Sequence, residues 1–130
     1  MKTLLPPGWP RPKGYANAVS ASGRLIFTAG VIGWDASERI VAPDLAGQFR
    51  QILLNTLGIL AEDGAGPEHV VRMTWYVVDR DEYVGSLAET GALYRSLMGK
   101  HYPAMAVVQV AGLVEPAARI EIETIPVVPQ

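Results

Sequence analysis

A single alternating strand lies between two amphipathic helical stretches, and this order constrains the chain more than any other feature. Asp44 is a suitable N-cap, and after it apolar residues recur at Leu45, Phe49, Ile52, Leu53, Thr56, Leu57 and Leu60. That is the spacing of one buried helical stripe. Glu62-Asp63-Gly64-Ala65-Gly66-Pro67 ends it, with glycine in the C-cap region and proline just beyond. From Val70 to Val78, Val71, Met73, Trp75 and Val77 alternate with Arg72, Thr74 and Tyr76, which predicts a strand. A second helix is predicted from Asp79–Asp81 onward, with Tyr83, Leu87, Gly91, Tyr94, Leu97 and Met98 on one face and Gly99 as its stop. Helices joined through single strands imply right-handed crossovers, so both are expected on the same face of one sheet.

The flanks complete the pattern. Asn17–Ser20 and Arg24–Ala29 read as two short strands around Ala21-Ser22-Gly23, with Gly23 where a positive φ is needed. After Tyr102-Pro103, two more strands are predicted at Ala104–Ala111 and Ala118–Val127, joined near Glu115-Pro116. The expected fold is therefore α+β, ββαβαββ, with a mixed sheet and two helices on one face, as one domain over residues 1–130. Pro6, Pro7, Pro10 and Pro12 make residues 1–13 an extended arm. The uncovered sheet face combines a strand apolar on both sides, apart from Gln109, with the charges of Arg119, Glu121 and Glu123. Such a face is ill suited to water and predicts a subunit interface.

Composition removes several functions. There is no cysteine, hence no disulfide frame, thiol catalysis or cysteine zinc site. The net charge is −2 and no basic run exceeds a pair, so a nucleic-acid partner is not expected. No apolar run nears the roughly 20 residues of a membrane span, and the proline-rich start is unlike a signal peptide. A cytoplasmic protein with no membrane partner is expected. His69 and His101 lack a third ligand at metal spacing, the serines have no nucleophile-elbow context, and Gly64-Ala65-Gly66 follows a helix instead of opening one. Neither a metal nor a cofactor is expected.

Several segments, taken in order, resemble the Rid or YjgF family: Gly14-Tyr15-Ala16-Asn17-Ala18-Val19, Phe27-Thr28-Ala29-Gly30, Gln48–Asn55, Val70–Thr74, Tyr102-Pro103-Ala104 and Ile120–Glu123. The resemblance implies a chorismate-mutase-like fold, a homotrimer and a small-molecule cleft at each subunit boundary. It also implies an enamine/imine deaminase, hydrolysing 2-aminoacrylate and related imines to a 2-keto acid and ammonia. In such proteins an arginine after the Pro-Ala pair grips the substrate carboxylate, a final-strand glutamate handles water, a glycine after the second strand offers backbone groups, and an early tyrosine lines the cleft. Tyr15, Gly30 and Glu121 fall at matching places. The arginine position holds Met105, the common glutamine after the glycine is Val31, and a frequent asparagine on the second helix aligns with Gly91. Losing a buried charged partner costs ~2–5 kcal/mol, so the expected substrate is an imine larger and more apolar than 2-aminoacrylate.

Each candidate has a plainer reading. Glu121 is the expected catalytic acid/base, or a strand carboxylate paired with Arg119 or a neighbouring subunit. Arg119 replaces the missing clamp, two residues along the same strand face, or pairs with Glu121 or Glu123. Arg72, the other cation on a strand, reads as an interface or cross-strand ion pair. Met105 lines an apolar pocket or packs in an interface. Trp34, in a glycine-flanked loop, is expected at the pocket rim, whereas Trp75 reads as core or interface. Backbone at Gly30 and Ala104 is expected to orient substrate, with Tyr15, Val31 and Gly91 lining the cleft. The rival readings are a non-catalytic trimer holding a metabolite or modulating a partner enzyme and, disfavoured by the acidic charge, a ribonuclease or translation inhibitor.

Overall fold

The computed structural model describes residues 1–130. Its elements are β1 (Lys2–Leu4), β2 (Ala18–Ser20), β3 (Arg24–Leu25), α1 (Leu45–Ala61), a 3-10 turn (Pro67–His69), β4 (Val70–Val77), α2 (Arg80–Gly85), α3 (Leu87–Met98), β5 (Ala104–Gln109) and β6 (Ile120–Val128). The main sheet runs in the order β3-β6-β4-β5, with β4 parallel to β5 and antiparallel to β6. The fold is the expected mixed α+β sheet clad by helices on one face.

The α1 stripe forms as its spacing predicts. Asp44 caps the helix by accepting from the Gly47 N–H, and Leu45, Phe49, Ile52, Leu53, Thr56 and Leu60 are buried. The apolar ones among them meet Met73, Trp75 and Val77 of β4, Ile120 and Ile122 of β6, and Tyr94 and Met98 of α3 in one core. Burying a side chain of this size stabilises by about 1.5–3 kcal/mol, and the stripe is what holds the helix to the sheet. No helix is long and apolar enough to cross a membrane.

Two expectations are corrected. The segments flanking Gly23 are not a hairpin: β2 pairs antiparallel with β1 in a separate two-stranded sheet, while β3 pairs with β6. Gly23 nevertheless takes φ 148°, and a Cβ there would strike the Val128 carbonyl, so the glycine serves a close approach of two backbones. The proline-rich arm supplies β1 as an edge partner, a place that tolerates prolines nearby. The second helix is split at Ser86, whose φ −107° and ψ 10° leave the helical region. Gly85-Ser86 is a weak helix-forming pair, and the Ser86 hydroxyl donates to the Tyr83 carbonyl at 3.0 Å, competing with the backbone ladder.

The other sheet face is uncovered. It carries Arg72, Thr74 and Tyr76 of β4, Glu121 and Glu123 of β6, and Ala104, Ala106 and Val108 of β5, as pairing register and alternation require. Ile26 packs toward the core, so Leu25 and Phe27 turn to this open face, where they are 53% and 68% exposed.

Candidate functional site

The first candidate cleft lies on the helix side of β4 and β5. It is a cavity of about 500 Å³. Met105 faces Met73 in register, and that pairing turns its side chain toward the helices, beside Trp75 and Val107. Tyr83, Tyr94 and Tyr102 form aromatic walls. Trp75 meets Tyr83 edge-on at 6.2 Å, and Tyr94 stacks on Tyr102 at 5.5 Å. The Tyr94 hydroxyl donates to the His101 carbonyl at 2.6 Å. Burial raises the pKa of both Tyr83 and Tyr94 above the ordinary value, as expected where an ionised phenol would lose its water.

Tyr15 and Gly91 join Met105 in this cavity. Tyr15 is positioned by its neighbour Ala16, whose N–H donates to the Pro103 carbonyl at 2.9 Å and which bridges to Ala104. Among the lining residues that escaped the sequence analysis are two cations, Lys13 and Arg95. Arg95 lies one helical turn after Gly91, so the i, i+4 spacing on α3 was the available signal.

The second candidate cleft is a groove between residues 29–36 and α1, lined by Gly30, Val31 and Trp34. Val31 exchanges two backbone hydrogen bonds with Ile122, at 2.9 and 3.0 Å, so this loop is stitched to β6. The Val31 side chain packs into the core. Alternation then turns Gly30 the other way, toward Glu121 on the open face. A Cβ at position 30 would collide with the Glu121 carboxylate, which explains glycine here without appeal to φ.

Glu121 is half-buried and has neither a hydrogen bond nor an ion pair within the chain. Its neighbour Glu123, by contrast, accepts from the Tyr76 hydroxyl at 2.6 Å. That bond, above all, raises the Tyr76 pKa, with burial and the charges of Glu123 and Glu121 adding to it. Gly30 likewise has no hydrogen-bond partner for its backbone N–H or C=O. An unpaired carboxylate beside unpaired backbone groups is a place where water or a polar substrate can be held.

Polar side chains of α1 hold this corner in shape. Asn55 donates to the Trp34 carbonyl at 2.8 Å and accepts from the Gln51 amide at 2.8 Å. Gln48, fully buried, donates to the carbonyls of Ala42 and Ala117 at 2.9 and 3.0 Å and accepts from the Arg119 N–H at 2.7 Å. Gly33 allows this approach, because a Cβ there would lie 2.8 Å from Gln48 backbone.

Arg119 does not share a face with Glu121. Its guanidinium pairs with Glu82 through Nε at 2.9 Å and Nη2 at 2.8 Å, with Asp79 at 3.8 Å. It precedes β6: its carbonyl still accepts from the Val78 N–H at 3.3 Å, but its N–H donates to Gln48 and its side chain is drawn to Glu82 and Asp79. The expected pairing with Glu121 or Glu123 is thus replaced by one with the second helical region. Ala104 lies on the open face, opposite Arg72.

The candidates therefore divide. Tyr15, Gly91 and Met105 share the cavity; Gly30, Val31 and Trp34 share the groove, with Glu121 against Gly30. Met105 and Glu121 project from opposite faces of the sheet, so one chain cannot bring both to one ligand.

Comparison with known proteins agrees with the topology. The family model described as Endoribonuclease L-PSP matches residues 10–128. A RutC family protein of Pyrococcus horikoshii is 34% identical over 118 residues, 89% of each chain. The 2-iminobutanoate/2-iminopropanoate deaminase of Salmonella typhimurium is 32% identical over 108 residues, 81% of this chain and 80% of that one. Among solved structures, a conserved Rid family protein from Yersinia pestis superposes with a TM-score of 0.83 at 31% identity, covering 98% of both chains. With sequence match, strand order and helix placement in agreement, the chain belongs to the Endoribonuclease L-PSP family, the Rid and RutC proteins.

Proposed function

We propose that this chain is a Rid-type hydrolase that deaminates a small apolar or aromatic imine or enamine in a cleft between two subunits of a homotrimer, in the cytoplasm. The observation that carries this reading is the division of the site. A cavity with aromatic walls lies on one side of the sheet, and a lone acid beside Gly30 on the other. Two copies placed head to tail would put the Glu121 corner of one against the cavity of the next, and a rotation that closes makes a ring. The exposed Leu25, Phe27 and Val108 on the open face favour a second copy as its cover.

The chemistry follows from the groups present. Glu121 accepts a proton from water as the water oxygen bonds to the imine carbon, and the C=N electron pair moves to nitrogen, which takes that proton from Glu121 to give the carbinolamine. Glu121 then takes the hydroxyl proton as the C=O bond forms and the C–N bond breaks. It passes that proton to the leaving nitrogen, so ammonia leaves behind a carbonyl. The free N–H of Gly30 is available to hold the attacked end of the substrate. An enamine substrate reaches the same step after protonation at carbon. The relative named as an iminobutanoate/iminopropanoate deaminase supports this reaction class, while Met105 in place of the carboxylate-binding arginine favours a larger, more apolar substrate.

The test is ammonia release after the protein is mixed with imino acids generated by an amino-acid oxidase. Acceleration over spontaneous hydrolysis is expected, greatest with aromatic or branched side chains; no acceleration with any of them contradicts the reading. Met105 also favours a second reading, a binding trimer without turnover. In that case Glu121→Ala changes ligand affinity and no ammonia is produced by either protein. A ribonuclease activity is least supported, given the net charge of −2; intact RNA after incubation with the purified protein is expected.

A further inference from the structure

The cavity that contains Met105 is not electrically neutral. Lys13 and Arg95 both line it, and no Asp or Glu does, although the chain as a whole carries a net charge of −2. Neither cation has an ion pair or a side-chain hydrogen bond within the chain. The two arginines considered as candidates from the sequence are placed differently: Arg119 is held by Glu82 and Asp79, and Arg72 stands on the open face.

Arg95 lines the cavity beside Gly91. Glycine inside a helix costs about 0.5–1 kcal/mol relative to alanine, and α3 carries one at the position facing the cleft. A Cβ at 91 would meet Nη1 of Arg95 at 3.7 Å, an ordinary contact. The guanidinium therefore lies alongside this position, at the cavity wall. Below it, Trp75 is 4% exposed, and its indole N–H is a buried donor with no acceptor. Such a donor costs about 1–3 kcal/mol while unpaired, and the cavity floor carries that cost.

We propose that Arg95 is the carboxylate-binding residue of this cavity, with Lys13 adding positive charge at its mouth, and that the ligand is a monocarboxylic acid with an aromatic body. The cation has moved from the sheet position now held by Met105 to the helix opposite, which frees the floor for a ring among Trp75, Tyr94, Tyr102 and Met105. This deepens the proposed function and rests on that reading only for the reaction; the binding claim stands on the cavity itself.

Phenylacetate and its uncharged isostere phenylacetamide separate charge from ring, with acetate as the charged compound lacking a ring. Titrated into the wild-type protein by calorimetry, phenylacetate should bind roughly tenfold tighter or more than phenylacetamide, the scale of one charge-assisted hydrogen-bonded pair, and also tighter than acetate. Arg95→Gln should abolish the preference for the acid while leaving phenylacetamide binding unchanged, and Arg95→Lys should restore part of it. Arg95 is exposed and unpaired, so these variants fold. Equal affinity for acid and amide in the wild type overturns the proposal, as does failure to bind either, or a preference that survives Arg95→Gln and is lost in Lys13→Gln. Hydrolysis of aromatic imino acids that is equally fast in wild type and Arg95→Gln also defeats this inference but leaves the proposed function intact. Arg95-dependent binding without hydrolysis does the reverse.

Discussion

The two candidate clefts are opposites in charge. The cavity beneath α3 has two cations and no acid among its lining residues. The groove beside α1 has Asp35 and Glu62 and no cation, with Glu121 just past Gly30. Imine hydrolysis of an amino-acid-derived substrate needs both halves: positive charge and apolar surface to hold the acid, and a carboxylate to manage water. Each half is anchored on regular elements, one on β5 and α3, the other on β6, α1 and the loop at residues 29–36. On the proposed reading, a single chain is well packed and still holds an incomplete site, its halves matched in sign for a neighbour's.

Removing the acid should have the largest effect. Glu121→Gln keeps shape and hydrogen-bonding capacity but not the ability to take a proton, so ammonia release should fall roughly a hundredfold or more, while phenylacetate affinity at the cavity is unchanged. A similar loss of both would show that the halves are not independent. Next is the scaffold of the groove. Gln48→Ala strips partners from the carbonyls of Ala42 and Ala117 and from the Arg119 N–H and leaves a gap at a fully buried side chain, and a loss of about 3 kcal/mol in urea denaturation is expected.

Met105→Arg restores a cation to the cavity floor. It should shift preference toward short 2-imino acids by roughly tenfold, at the expense of aromatic ones. The smallest effect belongs to the cavity wall. Tyr94→Phe removes the bond to the His101 carbonyl and should cost about 1 kcal/mol at neutral pH. Because burial raises the Tyr94 pKa above the ordinary value of 10.0, the folded state holds this proton longer than the unfolded chain does. The stability that represents is fully present below about pH 10 and is lost as pH climbs further, by about 1.4 kcal/mol per unit. Denaturation of the Phe variant should therefore be less steeply weakened above that pH.

Much of the frame was legible before the coordinates. The α1 stripe, the β4 alternation and the Gly99 stop depend on local spacing, and tertiary packing agrees with them. Pairing partners were not legible, because alternation says which face a residue takes but not which strand lies beside it; hence the false hairpin around Gly23. Arg119 was misplaced for a related reason, since Glu82 is 37 residues away and on no shared element. The site residues Tyr15, Gly30, Glu121 and Met105 came from resemblance, not spacing. Lys13 and Arg95 could not come from it, as they match no position of the pattern; only the structure sets them around Met105.

The central claim, that cavity and groove belong to adjacent copies, is open to one direct measurement. The chain has no cysteine, so Ala29→Cys in the groove and Leu87→Cys at the cavity, both exposed, can be introduced into one chain without background. A short bis-maleimide should then link chains into covalent pairs and triples, with nothing above three, while either cysteine alone gives no triple. If the doubly substituted protein remains uncrosslinked at micromolar concentration, or forms links only within a single chain, the shared site does not exist.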